Sequence, residues 1–138
     1  MLKAFSTPRD KRRTLFLLAI CAATAVAAVA VGIDDNPPGL LLAFLSAATL
    51  AVAFSHPWRS PRSFRRLMYA SGFGFLVSVI LHNVFYAWAS VPDLPELARD
   101  LLTGVEVFFF FVGILLCPPA FVVGMVGAVA MSIRRRYA

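Results

Sequence analysis

The chain has 138 residues, of which 60% are hydrophobic and 14% charged, with a mean hydropathy of +0.81. A soluble domain of this length cannot bury so much apolar surface, so the lipid bilayer is the expected solvent and the expected partner. The formal net charge of +6 would suggest nucleic acid in a soluble protein. Here the basic residues flank long oily runs, where they set orientation, and no nucleic-acid partner is expected.

In chain order, a basic segment (residues 1–13) precedes a first span over 14–33. The start "KRRTLFLLAICAATAVAAVA" has the form of a signal peptide, but its apolar run exceeds the usual h-region of about 7–15 residues, so it reads as an uncleaved anchor. The turn "DDNPPG" leads to a second span over 39–55, and the loop "HPWRSPRSFRR" to a third over 67–89. A short interfacial helix is expected over about 94–102, capped by Asp93-Leu-Pro-Glu96. A fourth span covers about 104–132, with a kink near Pro118, because Pro118 and Pro119 remove two amide donors and crowd the carbonyls of Ile114 and Leu115. A helix needs about 20 residues to cross the hydrocarbon core, and period-2 alternation is absent. The predicted fold is therefore an all-α, single-domain, four-helix membrane bundle.

Twelve of the thirteen basic residues fall on one side if all four segments cross. The positive-inside rule then places both termini in the cytoplasm of a cell (plasma) membrane protein. Trp58 and Tyr69 flank one face, and Tyr86 and Trp88 the other, as an aromatic belt does. Small residues recur at spacing four: Ala19, Ala23 and Ala27 in the first span; Ala43, Ala47, Ala51 and Ser55 in the second; Gly74, Ser78, His82 and Tyr86 in the third. From Glu106, helical steps pass Gly113, Cys117, Ala120, Gly124 and Ala128. Helices in lipid associate through close backbone approach at such faces, so these stripes are expected to point inward.

His82, Asn83, Glu106 and Cys117 are the candidate polar intramembrane site. Ionisable groups inside a span cost about 2.5–3.5 kcal/mol on insertion scales and are functional candidates for that reason. At about 1.5 Å per residue, His82 and Glu106 fall in the same leaflet and could hold or relay a proton together. Two structural alternatives stand beside this. Thr103-x-x-Glu106 has the form of a capping box at a helix start, and His82 and Asn83 could serve as interhelical hydrogen-bonding groups. Asn83 could instead reach the loop backbone. Asp34, Asp35, Asp93, Glu96 and Asp100 read as caps and turns, with a cation-attracting mouth as the alternative. His56 in "HPWR" is a span-edge residue with no chemistry indicated. Cys21 and Cys117 have neither C-x-x-C nor Cys/His spacing, and Cys117 lacks a neighbouring base or cation. No catalytic residue, metal or cofactor is indicated.

Taken together, "DNPPG" (Asp35–Gly39), "HPWR" (His56–Arg59), "LHNVFYA" (Leu81–Ala87) and "CPPAFVVG" (Cys117–Gly124) resemble a family of small four-span prokaryotic membrane proteins of unknown function. The resemblance implies a four-helix membrane protein and no reaction, ligand or cofactor. Small multidrug resistance transporters are similar in size, but their essential glutamate lies in a first span, which here holds no acid. The function expected is that of a non-enzymatic structural or accessory membrane component, self-associating or part of a larger complex, with no known small-molecule ligand. The alternative is a small transporter or proton-coupled carrier using His82 and Glu106.

Overall fold

The structure, a computed structural model, describes residues 5–33 and 36–136. Five α-helices follow in order: α1 (Pro8–Val31), α2 (Pro37–Ser55), α3 (Pro61–Ala89), α4 (Glu96–Phe111) and α5 (Cys117–Arg136). Between α4 and α5 runs one π-helical stretch, Val112–Leu116, so that α4, this stretch and α5 form a single continuous span. Among the described residues, four helices are thus long and apolar enough to cross a membrane.

The helix starts follow from capping. Thr7 Oγ1 accepts from the Asp10 amide at 3.1 Å, with Pro8 in the first turn; Ser60 accepts from the Arg62 amide, with Pro61 in the first turn. Caps and N1 prolines of this kind extend α1 and α3 upstream of their apolar runs by six residues each, beyond what hydropathy alone marks. Between α1 and α2, Gly32 adopts φ +93° and returns its amide to the Ala28 carbonyl. Asn36 Nδ2 donates to the Val31 carbonyl at 2.8 Å. A Cβ on Gly39 would overlap the Gly32 carbonyl oxygen, so this turn requires glycine at both positions. Asp34 and Asp35 lie outside the described residues.

The separate interfacial helix over about 94–102 does not form. α4 starts at Glu96 and runs without a break to Phe111, with Pro95 before it and no side-chain cap; Asp93 adopts φ 63° and does not cap it. The weakest helix former between Glu96 and Phe111 is Gly104, whose cost of about 1 kcal/mol is too small to split a helix. The fourth span then covers 41 residues, about 60 Å at 1.5 Å per residue, and its ends project beyond a hydrocarbon core of about 30 Å.

The kink takes the form of the π-helical turn. Pro118 and Pro119 have no N–H, so the carbonyls of Ile114 and Leu115 lose their α-helical donors. The turn just before them widens, and the Cys117 amide bonds the Val112 carbonyl five residues back.

Packing pairs α1 with α2, and α3 with α4 and α5; α2 and α5 join the two hairpins. The bundle is therefore a chain of contacts, with α2 and the fourth span at its middle. Among the described residues the buried apolar ones are almost all small, Ala28, Ala43, Ala47, Ala53, Cys117 and Ala128, with Phe64 the one large member. Phe16, Leu41, Phe73, Leu97 and Val126 are exposed. Small residues inside and large apolar residues outside reverse the soluble pattern, and they are what helix packing in a lipid solvent requires. Tyr69, Tyr86 and Trp88 are exposed at the two ends.

The small-residue stripes are confirmed in α2 and in the fourth span, where Ala43, Ala47, Ser55, Gly113, Gly124 and Ala128 are buried. In α1 the expected stripe is displaced: Ala19 and Ala23 are exposed, and the buried residues are Thr14 and Ala28. Polar anchors on α2 fix this rotation. Thr14 meets α2 at one end, and Cys21 and Ser46 meet in the middle, with Ser46 Oγ donating to the Cys21 carbonyl at 2.9 Å. In α3 the stripe turns inward at Ser78 and outward by Tyr86.

Candidate functional site

The contact between α3 and the fourth span is built on removed side-chain volume. A Cβ on Gly113 would stand 3.2 Å from Ser78 Cβ, and one on Gly74 3.4 Å from Cys117 Sγ. A Cβ on Gly124 would come within 2.7 Å of the Met68 amide nitrogen. The two backbones therefore approach closely over several turns, and this antiparallel register carries His82 to Glu106 at the end remote from the arginine-rich loop after α2.

His82 Nδ1 lies 3.4 Å from Glu106 Oε1 and 3.4 Å from the Glu106 carbonyl oxygen. That distance is at the long end for a hydrogen bond. The backbone carbonyl can only accept, so its bond requires the proton on Nδ1, which leaves Nε2 as the free lone pair of a neutral ring. The side chains are 27% and 16% exposed. Phe110 packs on the imidazole at a centroid distance of 5.5 Å, and Phe85 of α3 stacks on Phe109 of α4 at 5.8 Å. A cavity of 160 Å³ opens beside the ring, with Ser78, Gly113 and Ile114 in its wall; most of its lining is apolar. Glu106 is not part of that lining. Chemically the pair can share a proton between imidazole and carboxylate across two helices, in a half-shielded position.

The structure separates the four predicted site residues. His82 and Glu106 come together. Asn83 turns away: it is exposed, and its Nδ2 donates to the Val79 carbonyl of its own helix at 2.8 Å, so it reaches neither the next helix nor the loop. Cys117 is buried beside Gly74, eleven residues down the span from Glu106 and so about 16 Å away at helical rise. The capping-box expectation for Thr103 and Glu106 is overturned, because α4 begins ten residues before Glu106 and Glu106 lies in the helix interior.

One polar contact is not legible from either residue alone. Thr14, with 0% exposure, places Oγ1 2.9 Å from His56 Nε2 and 3.5 Å from the Ala53 carbonyl. The signal for it is in the chain: Thr14 opens the first apolar run and His56 closes the second, so an antiparallel hairpin of the two spans brings them level. Residue type hid it, since a threonine opening a span and a histidine closing one are each ordinary.

Among the described residues no cluster of three or more His, Cys, Asp or Glu is spaced to hold a metal ion. Comparison with protein-family models, with curated proteins and with solved structures finds no match to this chain.

Proposed function

We propose that this chain is a non-enzymatic, multi-pass structural or accessory component of the cell membrane, with both termini cytoplasmic, working by association with a second copy or a larger membrane complex. The observation that carries this reading is the engagement of the intramembrane polar side chains within the chain: His82 with Glu106, Ser46 with Cys21, Asn83 with Val79. Among the described residues, no buried side-chain nitrogen or oxygen lacks a partner. In this role His82–Glu106 is a tie between α3 and α4. The face of α1 that bears Ala19 and Ala23 is turned away from α2, and small residues on an outward face suit close approach by another helix. The motif resemblance to small four-span prokaryotic membrane proteins fits the same role.

A second reading is favoured by one observation, the placement of Glu106 inside α4 against His82 instead of at a helix start. A carboxylate and an imidazole paired between two spans, the carboxylate six residues before a π-helical turn, are the parts of a proton-coupled carrier, and π turns recur at functional sites. His82→Ala and Glu106→Gln distinguish the two roles when folded yield and proton-coupled flux in liposomes are both measured. A tie predicts a small loss of folded yield, larger for His82→Ala than for Glu106→Gln, with no flux in either form. Flux in the natural protein, abolished by either substitution at unchanged yield, would replace the structural role by the carrier.

A further inference from the structure

We propose that the arginine-rich end of α3 is a binding site for a phosphate ester of an anionic lipid headgroup. The loop after α2 and the first turns of α3 border an open pocket of 590 Å³ lined by Trp58, Arg59, Ser60, Ser63, Arg66 and Leu67. The four arginines of this loop, which orientation alone would treat as equivalent, divide in two. Arg59 and Arg66 line the pocket, and Arg62 and Arg65 do not.

The pocket has the chemistry a phosphate group needs. A guanidinium presents a planar fork of donors that matches phosphate oxygens two at a time, and two arginines border the same pocket. Neither Arg59 nor Arg66 makes an ion pair among the described residues. The one described carboxylate at this end of the molecule is Asp10, already bonded to Thr7. The hydroxyls of Ser60 and Ser63 lie in the same wall and can donate. The helix terminus itself is already satisfied, since the Arg62 amide is taken by Ser60 Oγ and the Ser63 amide by the Ser60 carbonyl, so the donors left for an anion are side chains. Trp58 is held in place edge-on to Phe64 at 5.3 Å, and Phe64 is 7% exposed. It is thus a fixed wall of the pocket as well as an interfacial aromatic.

An apolar track leaves the pocket along the same face of α3. Leu67 and Ala70 belong to its lining, and Phe73, at the next helical step, is exposed. A phosphate carrying an acyl tail would seat its head between the arginines and its tail along this track, as basic pockets at the cytoplasmic ends of spans hold anionic lipids. A free phosphate would use the arginines and leave the track unused. The site shares no residue with the His82–Glu106 pair and is independent of its role.

The test uses the full chain in nanodiscs, with Trp88→Phe to leave Trp58 as the sole tryptophan. Trp58 emission is followed as phosphatidylglycerol replaces phosphatidylcholine, and separately as inorganic phosphate is added to pure phosphatidylcholine discs. R59Q/R66Q is compared with R62Q/R65Q, which removes the same charge outside the pocket. The expected result is a saturable response to phosphatidylglycerol whose midpoint is roughly tenfold weaker in R59Q/R66Q than in R62Q/R65Q, the effect of losing hydrogen bonds to a charged group. The same mutant pattern with inorganic phosphate supports the site and identifies a free phosphate as its ligand. R59K/R66K keeps the charge without the fork and should bind between the two, which preserves the test if R59Q/R66Q does not fold. Equal weakening by both glutamine pairs, full affinity in R59K/R66K, or no Trp58 response to either ligand would overturn the assignment.

Discussion

The two hairpins solve the same packing problem differently. Between α1 and α2 the polar contacts sit at one end and in the middle, and the end contact is shut: Thr14 is fully buried against His56. Between α3 and the fourth span the polar contact sits at the opposite end of the molecule and is half open, with a small cavity beside His82. The first hairpin has regular helices and a turn fixed by two glycines. The second contains the π-helical turn and a close backbone approach that runs over several turns of its helices. A histidine is used in each, yet one bonds a hydroxyl that water does not reach and the other a carboxylate and a carbonyl beside a void. A tie of the first kind holds structure; a contact of the second kind can hold structure or move a proton. The polar character of a residue in a span therefore says less than the closure of the packing around it.

The largest effect that would break this comparison lies in the second hairpin's close approach. Gly124→Leu forces a side chain into the backbone of Met68 and Phe64 and should destabilise the protein by about 3 kcal/mol or more, as overpacking of a tight contact does. The check is loss of monodisperse protein and a lowered melting temperature in mild detergent. Gly104→Ala is its control. Nothing lies within 4 Å of a Cβ there, and the better helix former should stabilise α4 by about 0.5–1 kcal/mol.

Next in size is Thr14→Val, which keeps the shape and removes the hydroxyl from His56. A buried group deprived of its partner costs about 1–3 kcal/mol. A double-mutant cycle with His56→Ala should therefore return a coupling energy above that of the second hairpin. For that hairpin, His82→Ala should cost about 0.6 kcal/mol, the average for interhelical polar contacts in membranes. Glu106→Gln should cost less, because the amide oxygen still accepts from Nδ1. If the two cycles return equal energies, the distinction between closed and half-open ties fails. The smallest effect is expected for Asn83→Ala, within about 0.5 kcal/mol of the natural protein, because the side chain is exposed and bonds only its own helix. A larger loss would mean that Asn83 faces a partner in the membrane.

The sequence could be read as far as chain-local physics reaches. Span number, the antiparallel order and the alternation of basic and acidic loops follow from apolar runs and charges alone, since transfer into lipid depends on composition over about 20 residues. The widened turn before Pro118 is equally local, because missing amides act on carbonyls four residues back. The stripe through Gly113, Cys117 and Gly124 was legible because helical periodicity fixes which residues share a face. Other features depended on rotation and closure. Ala19 and Ala23 have the right spacing for contact and face outward, since Thr14 and the Cys21–Ser46 pair turn α1 the other way. Adjacent residues of a helix point about 100° apart, so His82 and Asn83 could not share a role, but only the packing of α4 decided which of them faces inward. Glu106 has the spacing of a cap and is none, because the helix had already started at Glu96. Composition and periodicity thus determined that this chain is four apolar helices in a membrane and which faces could pack. The tertiary structure decided which face each helix used, and with it which histidine is closed in and which stands beside a cavity, because those outcomes depend on contacts between segments far apart in the chain.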